Sequence, residues 1–245
     1  MKRRRSAAAW LTICGGLLVP IVLLVARIDD HELLVASNAD QHCWEAIYNK
    51  AWQFMGLFLL PMGVILAASL VTQLEYRNNT WKQLHTTPQS LSIIFFAKLL
   101  VILLMMLYFF ILFNAGIYLA GIIPSFLFSK IPFPIESFPI EGILKSNGKF
   151  YVACLPIIGL QYLISLQYKH FLIPIGVGLA LYVTSMIALS WKYAYLLPFA
   201  YCALNFDRFK KAETAIIPIH VWELSYFALF LIIGYILYIS KKEKG

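Results

Sequence analysis

Residues 99–129 read LLVILLMMLYFFILFNAGIYLAGIIPSFLFS, a run that contains no Asp, Glu, Lys, Arg or His. A transmembrane α-helix needs about 17 to 25 mainly apolar residues, so this run is long enough to cross a bilayer. Its Leu, Ile, Val and Phe residues do not alternate strictly with polar ones, as they would in the strands of an outer-membrane barrel. The run therefore predicts a membrane-spanning helix.

Five more runs of the same kind lie on either side of this stretch. They cover residues 6–26, 51–74, 150–168, 171–191 and 224–240. The chain is 61% hydrophobic and 13% charged, whereas about 25% of the residues of soluble domains are charged, which disfavours a buried helical core in a soluble protein. We therefore predict an all-α integral membrane protein with a single transmembrane domain over residues 1–245. Its six transmembrane helices are expected at about residues 8–27, 51–73, 91–120, 150–168, 171–191 and 222–240.

Basic residues near the spans indicate the orientation of the chain. Lys2 and the three arginines after it precede the first apolar run, as in a secretory signal. The run continues to Arg27 without a clear cleavage pattern, which favours an uncleaved helix. Because lysines and arginines are densest in the very short segments on the amino-terminal side, we expect both termini in the cytoplasm and the protein in the cytoplasmic membrane. Contact with anionic membrane lipid accounts for the net charge of +8 without nucleic acid.

A polar segment separates the second and third spans. Residues 73–90 read QLEYRNNTWKQLHTTPQS, and these side chains are too polar to lie in hydrocarbon. Asn79 and Thr80 offer helix-capping chemistry before a short helix. Pro88 and Ser90 end that helix and begin the next one, since proline is tolerated in a first turn. The segment therefore predicts a short helix on the cytoplasmic membrane surface between two spans.

The connections on the other side of the membrane are longer. Residues 28–50 are acidic at their start and contain two histidines, but no visible arrangement brings metal ligands together, so we interpret them as a solvated loop. Residues 193–206 form an uncharged aromatic run that is too short to cross the membrane and contains a proline, which predicts a re-entrant or interfacial segment before the sixth span.

Cys43 and Cys202 both lie on this side of the membrane in the predicted topology. A disulfide between them is therefore allowed, although their spacing does not require it.

The tryptophans and glycines of the spans predict structural features of the helices. Four tryptophans lie near span ends, where an amphipathic ring prefers the membrane interface, and we interpret them as anchors. They are Trp10, Trp52, Trp191 and Trp222. Four glycines permit close approach between helices, although bending or lipid packing fits them equally well. They are Gly116, Gly121, Gly176 and Gly178.

No sequence motif of an enzyme is present. The chain contains neither a G-x-x-x-x-G-K-[ST] loop for phosphates, nor H-E-x-x-H for zinc, nor a G-x-S-x-G nucleophile elbow. Lys98 is the one charge that we place well inside an apolar stretch, and its long stem lets the ammonium group reach the inner face. We therefore expect no catalysis, no cofactor and no metal site in this chain.

The polar segment resembles the coupling region of the permease subunits of type-2 ATP-binding-cassette exporters, and in particular of bacterial lantibiotic- and bacitracin-immunity permeases. In that family a Glu at the inner end of the second helix precedes a small turn, a short helix, a Pro and then a Lys in the next helix. The matching residues are Glu75, Thr80, Trp81, Lys82, Leu84, Pro88 and Lys98. Asn79 departs from the family's commoner Gly, and Leu91 departs from a frequent basic residue. Residues 165–179 are similar to the family's tight inner turn between the fourth and fifth helices.

The resemblance implies an exporter whose ATP hydrolysis occurs on a separate polypeptide. The helix at residues 79–86 would be a cytoplasmic coupling helix that sits in a groove of that ABC ATPase subunit. The residues implied in coupling are Glu75, Tyr76, Arg77, Asn79, Thr80, Trp81, Lys82, Leu84, Pro88 and Lys98. A second permease subunit, identical or related, would face this one, and the cargo would be a hydrophobic or amphipathic peptide, lantibiotic or drug.

Other interpretations of the same residues stay open. Trp81 and Leu84 also suit an interfacial helix that lies in the headgroup region without a protein partner. A non-transporting membrane scaffold or sensor would have the same apolar spans. An integral membrane enzyme or an ion-coupled carrier would require activity, or dependence on an ion gradient, in the chain by itself.

Overall fold

Long helices form most of the chain in a computed structural model, which describes residues 7–30, 34–35, 37–38, 40, 42–77, 90–168, 170–211 and 219–240. The helices are α1 Ala7–Asp29, α2 Cys43–Phe54, α3 Leu60–Arg77, α4 Leu91–Leu127, α5 Ile140–Gln167, α6 Leu172–Ile187, α7 Tyr201–Lys211 and α8 Ile219–Ser240. A π-helical stretch, Met55–Leu59, joins α2 to α3. Two short 3₁₀ turns, Ala188–Ser190 and Ala194–Leu196, follow α6. The described residues contain no strand.

Six of these helical segments are long and apolar enough to cross a membrane. They are Ala8–Asp29, Cys43–Gln73, Leu91–Leu127, Ile140–Gln167, Leu172–Ser190 and Ile219–Ser240. Each overlaps one predicted span, so the prediction of an all-helical, six-span membrane protein is confirmed.

Two spans begin earlier than predicted because their first turns are amphipathic. The helix of the second span starts at Cys43, inside the segment that we interpreted as a loop, so that interpretation is wrong for its last part. Trp44 and Ile47 are buried there while Glu45 and Lys50 face outward. The fourth span likewise starts at Ile140, and its first turns carry an exposed ion pair. A rule that looks for charge-free runs misses such turns, because only one face of the helix is apolar.

The first and third spans run parallel and in close contact. Gly16 of α1 lies against Phe109 of α4, and further along both helices Gly116 of α4 lies against Pro20 of α1. A Cβ atom added at Gly116 would lie 2.6 Å from the Pro20 Cβ. Small residues in membrane helices allow backbones to approach in this way. The expectation of close approach thus holds at Gly116.

The other three glycines differ from one another. A Cβ at Gly121 would lie 2.4 Å from the Trp44 ring, and one at Gly178 would lie 2.5 Å from Gln161 Oε1. At Gly176, in contrast, no described atom lies within 4 Å of such a Cβ. Close approach therefore holds for Gly121 and Gly178 but not for Gly176.

Gly116→Ala is expected to lower the free energy of unfolding by about 1–3 kcal/mol, the usual cost of forcing extra volume into a packed contact. The Pro20 ring cannot move aside as a flexible side chain would, so α1 and α4 must separate. Thermal unfolding in detergent measures the change. Gly176→Ala is the matched control and should unfold at or slightly above the wild-type temperature, because alanine favours helix over glycine. Equal unfolding temperatures for the two variants would contradict the close contact.

Trp52 lies in the core and not at the membrane interface. Its side chain is fully buried and stacks on Phe150 of α5 with 3.8 Å between ring centroids. Its interpretation as an anchor is therefore wrong, because the helix begins at Cys43 and places Trp52 well within the bundle. Trp10, Trp191 and Trp222 do remain exposed, as anchors require.

The segment between the fifth and sixth spans folds onto the bundle. The short helix α7 packs its first turn inward, and Tyr201 and Cys202 are fully buried. Cys202 Sγ lies 3.6 Å from Cys154 Sγ of α5, whereas Cys43 Sγ lies near Asn38 Oδ1, so Cys43 and Cys202 are not paired. Burial raises the pKa of the Tyr201 phenol, which stays a neutral donor and bonds Tyr195 O at 2.7 Å. The described part of the segment thus begins with exposed residues at Trp191 and continues through two short turns into one short helix whose first turn is buried.

Candidate functional site

The predicted coupling residues lie partly inside and partly outside the described chain. Six of them are outside the described residues: Asn79, Thr80, Trp81, Lys82, Leu84 and Pro88. Glu75, Tyr76 and Arg77 form the last turn of α3, so the helix continues beyond the predicted span end at residue 73 and this part of the segment is not a loop. Ser90 is the N-cap of α4, and its hydroxyl accepts a bond from the Ile93 amide at 3.4 Å. The predicted start of the third span after Ser90 is therefore confirmed.

Several helix ends meet where the polar segment leaves the bundle. Gln73 near the end of α3 donates through Nε2 to the carbonyl oxygen of Tyr168, directly after α5, at 2.6 Å. Ser92 in the first turn of α4 bonds Tyr235 near the end of α8 at 2.8 Å between hydroxyl oxygens. We call this the coupling end: the carboxyl ends of α3, α5 and α8 with the amino end of α4. Both regions that carry the family resemblance, residues 73–90 and residues 165–179, therefore adjoin the same end of the bundle.

Lys98 lies near the coupling end on α4. Its side chain is half-buried, and Nζ lies 5.8 Å from the centroid of the Tyr238 ring on α8. A cation over an aromatic face is attracted by the ring quadrupole, which offsets part of the cost of its burial. The described geometry thus places Lys98 between α4 and α8.

A line of buried polar side chains leads from the coupling end into the bundle. We call Ser69, Gln73, Gln161 and Ser165 the polar seam. Gln161 is fully buried, and its Nε2 donates to Ser69 Oγ and to the Pro174 carbonyl oxygen, both at 2.8 Å. Ser165 Oγ lies 3.4 Å from Ser69 Oγ. The polar seam therefore joins α3, α5 and α6 by side-chain hydrogen bonds.

Two other polar side chains in the spans bond within their own helices. Asn114 donates to the Phe110 carbonyl at 2.6 Å, and Thr184 donates to the Ala180 carbonyl at 2.8 Å. Sequence spacing gives no means to distinguish these residues from Gln161, because the distinction depends on which helix lies opposite.

A buried carboxyl group was missed by the sequence reasoning. Glu223 of α8 is fully buried. Lys98 is therefore not the sole ionisable residue within the predicted spans. Asn205 Nδ2 of α7 donates to Glu223 Oε1 at 2.9 Å, and His220 Nδ1 lies 2.8 Å from Glu223 Oε2. Ionisable groups within membrane spans are costly and usually functional or structurally paired. The signal was available, because the predicted span at residues 222–240 includes Glu223.

An apolar cavity of about 390 Å³ lies between α1, α4 and the stretch from the π-helix into α3. Leu18, Met62, Met105 and Phe109 line it, and Gly63 leaves part of its wall open. Thr12 contributes a hydroxyl that already bonds the Ala8 carbonyl of its own helix at 2.9 Å. Apart from this hydroxyl and the Cys14 thiol, the lining is apolar, so the cavity suits an apolar group. Among the residues that the structure describes, no group of three His, Cys, Asp or Glu side chains is placed to hold a metal ion.

The fold and these clusters define a multi-pass helical membrane protein with six apolar spans. Residues 1–185 match the family described as ABC-2 family transporter protein, and the chain belongs to this family. No curated protein and no solved structure matches the chain. The family supplies the membrane component of transporters and normally works with an ABC ATPase, so the chain is a membrane permease of a transporter.

Proposed function

We propose that the chain is the membrane-spanning permease subunit of an exporter in the cytoplasmic membrane, driven by a separate ATPase subunit. The observation that carries this proposal is the family match, which extends across the polar segment at residues 73–90. All six spans belong to one permease domain in this proposal. The amino end of α1 and the carboxyl end of α8 lie at the coupling end. We assign that end to the cytoplasm because the short basic segments adjoin it.

In this proposal residues 79–86 form the coupling helix and dock in the ATPase. Trp81 and Leu84 supply an apolar contact and Lys82 a cationic one, and aromatic anchors of this kind often dominate an interface. Glu75 and Arg77 extend the contact from the last turn of α3, since that turn leads directly into the segment. Movement of the ATPase would reach α5 and α6 through the polar seam, because Gln73 bonds the Tyr168 carbonyl at 2.6 Å.

The cargo in this proposal is hydrophobic or amphipathic, and a peptide, a lantibiotic or a drug fits that description. The apolar cavity of about 390 Å³ supports this choice, because its lining presents Leu, Met and Phe side chains and would not satisfy a strongly polar molecule. A second permease subunit, identical or related, would complete the route, with the cargo passing between the two subunits.

Replacing the pair Trp81 and Lys82 by Ala and Glu is expected to reduce recovery of the ATPase at least about tenfold, since an aromatic anchor and a charge are lost together. The measurement is a pull-down of the tagged, detergent-solubilised permease from cells that express the ATPase.

The chain offers a matched control for this test in Trp191 and Lys192, a second Trp-Lys pair that is exposed and follows α6 at the opposite end. Trp191→Ala with Lys192→Glu makes the same change in volume and charge and should leave ATPase recovery unchanged. If both double variants recover the ATPase as well as the wild type, the coupling-helix proposal is wrong.

A further inference from the structure

A second pocket lies at the end of the bundle opposite the coupling end. Its volume is about 230 Å³, and it opens between the last turns of α1 and the first turns of α2. Arg27, Asp30 and Lys50 form its polar side, and Leu23, Ala26 and Ile47 form its apolar side. The pocket is therefore amphipathic, in contrast to the apolar cavity beside α3. Its polar side lies at the level where the first span, Ala8–Asp29, ends.

The guanidinium group of Arg27 is held in place by buried groups. Arg27 Nη2 donates to Asn38 Oδ1 at 2.7 Å. Asn38 is fully buried and in turn donates to Ser125 Oγ at 3.2 Å and to the Pro132 carbonyl oxygen at 2.9 Å. The position of Arg27 is thus fixed by α1, by Asn38 and by the end of α4. Such a preorganised cation loses little side-chain freedom when it binds a ligand.

One donor of this guanidinium group has no acceptor among the described residues. Arg27 Nε is buried and makes no hydrogen bond there. A buried polar group without a partner costs free energy, and the cost is larger when the group is charged. This Nε is enclosed by the protein, so the charge of the guanidinium group, and not this donor, acts on a group in the pocket. Charge favours an anion, because the described lining residues carry two cationic groups, those of Arg27 and Lys50, and one carboxyl group, that of Asp30.

We propose that this pocket binds the phosphate headgroup of an anionic phospholipid. The phosphate contacts Arg27 and Lys50, since a guanidinium group matches phosphate oxygens in geometry and an ammonium group adds a second charge. The apolar side chains of Leu23, Ala26 and Ile47 line the path of the first methylene groups of the lipid chains. A pocket of about 230 Å³ holds a headgroup but not a whole lipid, so the remaining chain lies along the bundle surface.

The test titrates the delipidated, full-length protein in detergent with phosphatidylglycerol or phosphatidylcholine and counts retained lipid by native mass spectrometry. The wild type should retain phosphatidylglycerol preferentially. Arg27→Gln and Lys50→Gln should each weaken that retention about fivefold, and the double variant should lose the preference for the anionic lipid. Lys149→Gln is the control, because Lys149 is an exposed cation on the early turns of α5 at the same end of the bundle.

The following results would contradict the proposed lipid site. Unchanged retention in both single variants overturns it, and so does an equal loss in Lys149→Gln, which would show only unspecific attraction between charges. If Arg27→Gln fails to fold because Asn38 loses its partner, Lys50→Gln still tests the site, since Lys50 is exposed and outside that network. A parallel titration with water-soluble glycerol phosphate distinguishes binding of a phospholipid from binding of a free phosphate ester. Binding of glycerol phosphate as tight as that of the lipid would overturn the assignment to a phospholipid.

Discussion

Trp52→Ala is expected to destabilise this protein by about 3–5 kcal/mol, the usual cost of removing a large aromatic side chain from a packed core. Trp52 is fully buried and stacks on Phe150 with 3.8 Å between centroids. The edge of its ring meets Phe113 of α4 at 5.2 Å, and Tyr48 on its own helix lies at 5.9 Å. Because these rings belong to α2, α4 and α5, truncation removes contacts between three helices at once.

The measurement is thermal or SDS-induced unfolding of the purified protein in one fixed detergent. Trp10→Ala is the matched control, because Trp10 is 48% exposed and the same atoms are removed there. We expect that control to stay close to the wild type. Trp52→Phe should fall between the two, since a smaller ring keeps part of the stack. If Trp52→Ala and Trp10→Ala unfold at the same temperature, the position of Trp52 in the core is wrong.

The contrast between Trp52 and Trp10 shows what the sequence can predict about this fold. Charge-free runs identify the six spans because the bilayer excludes charge along a whole helix. They do not identify where a helix starts once only one face is apolar, as at Glu45 and Lys50 of α2. The predicted start at residue 51 therefore put Trp52 at the interface, whereas the helix begins at Cys43.

The candidate site was predictable to a smaller extent. The start of α4 after Ser90 follows from local sequence, and Ser90 is the N-cap of that helix. The turn predicted at residues 78–80 lies outside the described residues, and the coupling role of Lys98 stays a prediction. The polar seam depends on which helices lie side by side, so Gln161 could not be separated from Asn114 by sequence alone. Glu223 and Asn205 belong to different helices, and no local pattern pairs them. Contacts between spans are set by packing and not by any periodicity within one span.

Glu223→Ala is expected to have the second large effect, a loss of about 2–3 kcal/mol of unfolding free energy. The substitution leaves Asn205 Nδ2 as a buried donor without its acceptor and opens a cavity beside α7. It also removes the contact of 2.8 Å with His220 Nδ1. Glu223→Gln should cost less, because the amide oxygen can still accept the bond from Asn205. The same unfolding assay measures both variants.

A double-mutant cycle separates the bond between α7 and α8 from a general effect of truncation. Asn205→Ala and Glu223→Ala remove the same hydrogen bond, so their double variant should lose less stability than the two single losses combined. Asn114→Ala is the control for Asn205→Ala, since Asn114 bonds within its own helix at 2.6 Å. Its effect should add to that of Glu223→Ala within about 0.5 kcal/mol. Additive losses in both cycles would contradict the structure, because residues that share a buried bond at 2.9 Å must be coupled.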